Sequence, residues 1–187
     1  MKIAFIGTHG VGKTTLCYET AAALKKRDLS VEMVKEVARD CPLPINRDTN
    51  LAAQSWILHT QIAREIEAGN RYEIVICDRS VLDNYAYLVH RVGAVAYLEE
   101  LVGGWLATYD HLFKIPIVGR PAFDGTRDVS RDFQRGIDED VDRLVARFGV
   151  VPRFLEASRR SHWVENILKA VSPDLLVRQE SLFPPEA

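Results

Sequence analysis

Cysteine is scarce in this sequence: Cys17, Cys41 and Cys77 are the only three among 187 residues, an odd number at spacings that match neither a zinc site nor a CxxC pair. That argues against a disulfide scaffold and for a reducing, cytoplasmic setting in which the thiols are small buried filler. Net charge is almost absent. With 24 basic and 26 acidic residues the formal charge is −2, so no global basic field would hold a long nucleic-acid track or an anionic membrane surface. No apolar run approaches bilayer length, and the opening MKIAFIG leaves no room for the apolar core of a signal peptide. Glycine, at 11, and proline, at 8, show no excess, which excludes collagen-like and low-complexity architectures. With no repeat and no linker either, residues 1–187 read as one domain.

What the chain does contain is alternation. Residues 3–6 form a short continuous apolar run, as in a strand buried on both faces, and 14–27 follow as a helix with Lys25, Lys26 and Arg27 in its last turn. A second strand is expected over 31–35, then a proline-punctuated loop, CPLPINRD, without regular structure. Leu51, Leu58, Ile62 and Ile66 fall on one face of a helix over 49–68, closed by Gly69-Asn70. Strands at 74–77, 112–117 and 150–155 and helices at 80–90, 94–108, 137–148 and 161–171 complete the pattern. Strands alternating with helices predict an α/β fold, a three-layer doubly wound parallel sheet with helices on both faces.

Between the first strand and helix stands Gly7-Thr8-His9-Gly10-Val11-Gly12-Lys13-Thr14, a full match to G-x-x-x-x-G-K-S/T in the context that the motif requires. Successive backbone N–H groups must turn inward around a phosphate, a curvature that needs glycine, and the helix N-terminus adds positive potential. The nucleotide-binding set is therefore Thr8, His9, Gly10, Val11, Gly12, Lys13, Thr14 and Thr15, with Lys13 on the β- and γ-phosphates and the Thr14 hydroxyl on Mg²⁺. His9 shapes the loop without a catalytic role. A guanine-reading Asn-Lys-x-Asp segment is missing, which favours ATP over GTP.

A second cluster follows strands two and three. Asp78 ends an apolar strand, where such folds place an acid beside magnesium, and strand carboxyl ends should bring it together with Glu36 and the phosphate loop. Glu36 is either a general base for a substrate hydroxyl, with Arg39 holding an anionic group, or the partner of Arg39 in a surface ion pair. Arg79 is a candidate to neutralise transferring phosphate. Asp83 and Tyr87 share a helical face expected to overlie an acceptor pocket, while Tyr85, Tyr87 and Trp56 suit core or pocket wall. Arg120, Arg127, Arg131 and Arg135 interleave with aspartates in a polar segment that reads as a mobile lid over about 118–136, with Arg127 and Arg131 as its catalytic candidates. Arg159 and Arg160 follow the last strand, either stacking on a base or starting a solvated helix.

Taken together, GTHGVGKTT, KEVAR, CDRSVLDNYAY and FDGTRDVSRDFQ resemble the AAA-type P-loop family that includes the nicotinamide riboside kinase domain of the bacterial NAD-biosynthesis regulator. More distantly, the chain is similar to deoxynucleoside and nucleoside monophosphate kinases. The resemblance covers most of the chain. It implies a P-loop fold of the nucleoside/nucleotide kinase type, with Glu36 as base and Asp78-Arg79 serving metal and phosphate. Deoxynucleoside kinases usually carry Glu-Arg-Ser where this chain has Asp78-Arg79-Ser80. The function expected is an ATP- and Mg²⁺-dependent phosphotransferase acting on a small nucleoside- or nucleotide-like acceptor. A nucleotide-dependent regulatory switch NTPase and a polynucleotide 5′-kinase are the alternatives.

Overall fold

A computed structural model describes residues 1–119 and 130–182. Its elements run β1 (Lys2–Ile6), α1 (Lys13–Lys25), β2 (Val31–Val34), α2 (Leu51–Arg71), β3 (Ile74–Asp78), α3 (Val81–Val92), α4 (Ala96–Leu106), β4 (His111–Lys114), α5 (Arg131–Phe148), β5 (Arg153–Phe154) and α6 (Trp163–Leu182). The five strands are all parallel, in the order β2-β3-β1-β4-β5. Helices cover both faces, as the alternation predicts.

Strand periodicity divides the core. In β1, Ala4 and Ile6 face a cluster containing Leu58 of α2, Leu82 and Tyr85 of α3, Leu98 of α4 and Val141 of α5. Ile3 and Phe5 face the opposite cluster, with Leu16 and Leu24 of α1 and Trp163 and Ile167 of α6. A strand buried on both sides has no polar alternation, which is why it reads as an unbroken apolar run. The same pairing sets Phe5 opposite Asp78, so the carboxyl ends of β1 and β3 lie side by side where the chain order reverses. No helix among the described residues is long and apolar enough to cross a membrane. All three cysteines are free, and burial pushes the Cys17 and Cys77 thiols well up.

Several boundaries depart from the sequence expectation. Helix α2 does not stop at Gly69-Asn70 but continues to Arg71, and its buried face matches the predicted one only in part: Leu58 is buried and Ile62 packs against the core, but Leu51 and Ile66 are 38% and 57% exposed. The face turned inward carries Ala53, Ile57 and Leu58 together with Gln54, Gln61 and Glu65. Glu65 is tolerated there because Trp105 Nε1 (2.7 Å), Tyr109 Oη (2.7 Å), Gln61 Nε2 (2.8 Å) and Lys2 Nζ (3.0 Å) all donate to it. Strand β5 is a two-residue edge pairing with β4, not a core strand over 150–155; Phe154 is 68% exposed, and Pro152 beside it has no N–H to donate. The loop CPLPINRD contains a short 3₁₀ turn, Asn46–Asp48. Helix α5 already begins at Arg131, with the Ser130 hydroxyl accepting from the Phe133 amide, so the end of the proposed lid segment is helical; residues 120–129 lie outside the described residues. Helix α6 begins at Trp163 after a 3₁₀ turn, Ala157–His162, and runs on through Pro173.

Candidate active site

The loop after β1 is shaped by glycines that no other residue could replace without strain. Gly7 has φ +133°, and a Cβ there would lie 2.8 Å from the Ile115 carbonyl oxygen. Gly12, with φ +94°, is the left-handed residue that opens α1. The first two amides of the loop are committed to protein carboxylates: Gly7 N–H donates to Asp83 Oδ1 at 2.8 Å and Thr8 N–H to Asp138 Oδ1 at 3.4 Å. Asp83 also accepts from the Ser80 amide and hydroxyl, both at 2.9 Å, closing a capping box at the start of α3. It is fully buried and braces the loop, so the expectation that Asp83 overlies an acceptor pocket is corrected. Helix α5 braces the other side, Gln134 Nε2 donating to the His9 carbonyl at 2.9 Å. The side chains of Thr8 and Val11 are 0% and 1% exposed and do not line the cleft, so only their main chain is available to a nucleotide there.

Lys13 lies buried at the floor of the loop, its ammonium donating to the Gly7 and Thr8 carbonyls at 2.6 and 2.5 Å. Burial, then the Arg79 guanidinium, lowers its pKa to about 8, against the pull of Asp83, Asp78 and Glu36. Thr14 donates its hydroxyl to Asp78 Oδ2 at 2.5 Å, and burial raises the Asp78 carboxyl above its ordinary value.

Glu36 follows β2 and is gripped from two sides. Arg79 places Nε at 2.8 Å and Nη2 at 2.6 Å from Glu36 Oε1, while Arg39 Nε donates to Oε2 at 3.0 Å. Burial pushes the Glu36 pKa up, but Arg79, Lys13 and Arg39 outweigh it and hold the carboxyl at about 2. The ion pair with Arg39 that one sequence reading gave Glu36 is present, and Glu36 also pairs with Arg79 at the strand ends. Arg79 itself adopts φ +88°, a left-handed conformation costly for a residue with a side chain. Its carbonyl accepts from Gln61 Nε2 at 3.3 Å, and its guanidinium lies 4.8 Å from the centre of the Tyr87 ring. Strain of this kind persists where surrounding contacts over-determine it.

Two cavities open on this cluster. One is lined by Gly10, Gly12, Lys13, Thr14, Thr15 and Asp78, with Arg160 at its rim. The other is lined by Ala38, Arg39, Gln54, Ile57, Asn84 and Tyr87. His9, Glu36 and Arg79 line both. Tyr87 is therefore wall, and its hydroxyl lies 3.0 Å from His9 Nδ1. Tyr85 belongs to the core, and Trp56 lines neither cavity. Arg160 reaches the phosphate loop near Gly12, whereas Arg159 pairs with Glu156 in solvent. Arg131 and Arg135 are exposed on α5 and line neither cavity, and Arg127 lies outside the described residues.

Gln54, Ile57 and Asp138 are site residues that no motif announced, and Gln134 ends FDGTRDVSRDFQ without a role assigned to it. The only sequence signal is the three-residue spacing of Gln54 and Ile57 on one helical face, which resembles any amphipathic helix.

A family model described as an AAA domain matches residues 2–161. Among curated proteins, a probable thymidylate kinase from Thermoplasma volcanium is 26% identical over 160 residues, covering 85% of this chain and 79% of that protein. A second, from Thermoplasma acidophilum, is 27% identical over 181 residues, covering 95% and 86%. Deoxyadenosine kinase from M. mycoides, with bound dCTP, superposes with a TM-score of 0.66 at 15% identity over 92% of this chain and 100% of that one. The same enzyme with bound dATP gives 0.64 at 16% identity over 92% and 99%. At that identity the likeness is one of fold: a P-loop kinase fold on an all-parallel five-stranded sheet.

Proposed function

The chain belongs to the AAA domain family, and from that premise we propose that it is an ATP- and Mg²⁺-dependent kinase passing the γ-phosphoryl group to a hydroxyl or phosphate oxygen of a small nucleoside- or nucleotide-like acceptor. The observation that carries this reading is the shared wall: Glu36, Arg79 and His9 border both the phosphate cavity and its neighbour. Two cavities meeting at a carboxylate and a guanidinium suit transfer from one bound molecule to another, and a timer that hydrolyses its nucleotide needs only the first. The thymidylate kinase relatives support the acceptor class. Nicotinamide riboside, suggested by the finer resemblance, is one member of that class.

The donor set fits magnesium. Thr14 Oγ1 and Asp78 Oδ2 lie 2.5 Å apart beside the phosphate cavity, and no group of three or more His, Cys, Asp or Glu side chains among the described residues could hold a metal alone. One hydroxyl and one carboxylate suit an ion that keeps waters and takes phosphate oxygens as its other ligands. When bound, Mg²⁺ supplies positive charge against the β- and γ-phosphate oxygens. In this mechanism the amides from Gly10 to Thr15 cradle the phosphates, and the Lys13 ammonium turns from the loop carbonyls toward them. Arg79 shares its guanidinium between Glu36 and the transferring group, stabilising charge on its equatorial oxygens. Glu36, ionised, orients the acceptor hydroxyl by accepting its hydrogen bond. A carboxylate whose pKa is about 2 takes the proton only late, once bonding to phosphorus has acidified the oxygen, as a loose transition state allows. On this reading residues 1–187 work as one domain, and the segment over about 118–136 closes on the donor, with Arg127 and Arg131 meeting the phosphates.

Purified protein given labelled ATP, Mg²⁺ and a panel of nucleosides, nucleoside monophosphates and 5′-hydroxyl oligonucleotides tests the proposal. Label should appear on a small acceptor. Hydrolysis with transfer to none of them would replace the kinase by the switch NTPase, and label confined to oligonucleotide ends would replace it by a polynucleotide 5′-kinase.

A further inference from the structure

The second cavity carries an unmet hydrogen-bonding demand. Asn84 is 4% exposed, lines that cavity, and its Nδ2 is shut from solvent without a hydrogen-bond partner among the described residues. A sealed N–H without an acceptor is rare in proteins, because its lost hydration is not repaid. The surroundings show a pattern. Helices α2 and α3 each present one carboxamide and, three residues on, one apolar side chain: Gln54 with Ile57, and Asn84 with Tyr87. Residues three apart share a helical face, so the two helices give the cavity two apolar walls, each with an amide group beside it, and Asn46 adds a third carboxamide from its loop, as a flat ring with one polar edge requires. Gln54 spends an Nε2 hydrogen on Thr49 Oγ1 at 2.8 Å, whereas the Asn84 nitrogen is unspent.

We propose that Asn84 reads an exocyclic carbonyl oxygen on the acceptor's ring, so that the cavity takes oxo-bearing bases in preference to their amino-bearing counterparts. This rests on the reading of the cavity as the acceptor site. An exocyclic oxygen projects beyond the ring and offers two lone pairs to a donor recessed in the wall. An amino group in the same place would set donor against donor and leave both buried and unpaired. Asn84 is thus a specificity-determining residue, distinct from the charged groups at the reacting end.

Matched pairs that differ only at this edge provide the test: 2′-deoxyuridine against 2′-deoxycytidine and inosine against adenosine, with their 5′-monophosphates. Each is titrated calorimetrically into protein holding a non-hydrolysable ATP analogue and Mg²⁺. The oxo member of at least one pair should bind about tenfold tighter or more, the scale set by one buried hydrogen bond made or left unpaired. Asn84→Asp, which replaces the donor by an acceptor, should abolish or invert that preference while the affinity for the ATP analogue stays unchanged. Equal affinities within each pair, an amino preference, no binding by any member, or an Asn84→Asp variant that weakens both members alike would each overturn the proposal. The wild-type comparison needs no variant, so a misfolded Asn84→Asp does not blunt it. Oxo-selective binding without phosphoryl transfer would remove the kinase reading and leave this one; transfer without oxo preference would do the reverse.

Discussion

The two cavities that meet at Glu36 and Arg79 are built in opposite ways. The phosphate cavity takes half of its lining from one contiguous stretch, His9 to Thr15, with Asp78 contributed by the neighbouring strand. Its neighbour gathers Ala38 and Arg39 from the turn after β2, Asn46 from a loop, Gln54 and Ile57 from α2, and Asn84 and Tyr87 from α3. A phosphate is held by main-chain N–H groups in a fixed curvature, so its site demands glycines at set spacings and leaves a signature in the sequence. A ring with a polar edge is held by side chains whose only requirement is to converge, and convergence leaves no spacing to read.

The division makes its largest prediction at Lys13. Lys13→Met should lower affinity for ATP·Mg²⁺ and the rate of transfer by about a hundred- to a thousandfold, the scale of one lost electrostatic donor. Nucleoside affinity in the second cavity should hold within about threefold, and equal weakening of both ligands by titration would break the comparison. Glu36→Gln strikes the shared wall, so both should suffer: transfer down about a hundredfold, and folding stability down by about 3 kcal/mol in urea unfolding, because Arg79 keeps its burial but loses its counter-charge. The pH dependence follows from the same groups. Glu36 stays ionised down to about pH 2, so its ion pairs contribute fully above its ordinary 4.5 and fade as pH falls from there toward 2. Lys13 in nucleotide-free protein loses its proton as pH rises through about 8, so triphosphate binding should weaken on that limb while nucleoside binding does not. Gln134→Ala should have the smallest effect. Removing the hydrogen bond to the His9 carbonyl should cost about 1 kcal/mol of folding stability and a few-fold in ATP affinity, with a smaller change at the second cavity, which shares only His9 with the released segment.

Helix α2 illustrates how a correct element can carry a partly misread face. Its existence is plain from the 3.6-residue periodicity, yet of the apolar stripe only Leu58 and Ile62 turn to the core while Leu51 and Ile66 are exposed, and the inward face is half polar. Apolar patterning assumes that polar groups stay wet; Glu65 and Gln61 break that assumption because donors from β1, α4 and the turn before β4 meet the Glu65 carboxylate inside. Asp83 shows the same at the site. Its place in CDRSVLDNYAY was visible, but its bond to the Gly7 amide, 76 residues earlier, was not.

By itself the sequence determined the order and type of the elements, the parallel doubly wound sheet and the phosphate loop. Each rests on local rules: a strand buried on both faces, a helix period, a glycine curvature, all complete within a few neighbouring residues. Only the tertiary structure decided that Thr8 and Val11 face the core, that Glu36 is held between two arginines, and that Gln54, Ile57, Asn84 and Tyr87 enclose a second cavity. Those outcomes depend on which helix packs over which strand end, and on the burial that packing imposes on charges and amides far apart in the chain. Asn84 is the sharpest case, since only burial gives its unspent N–H a meaning.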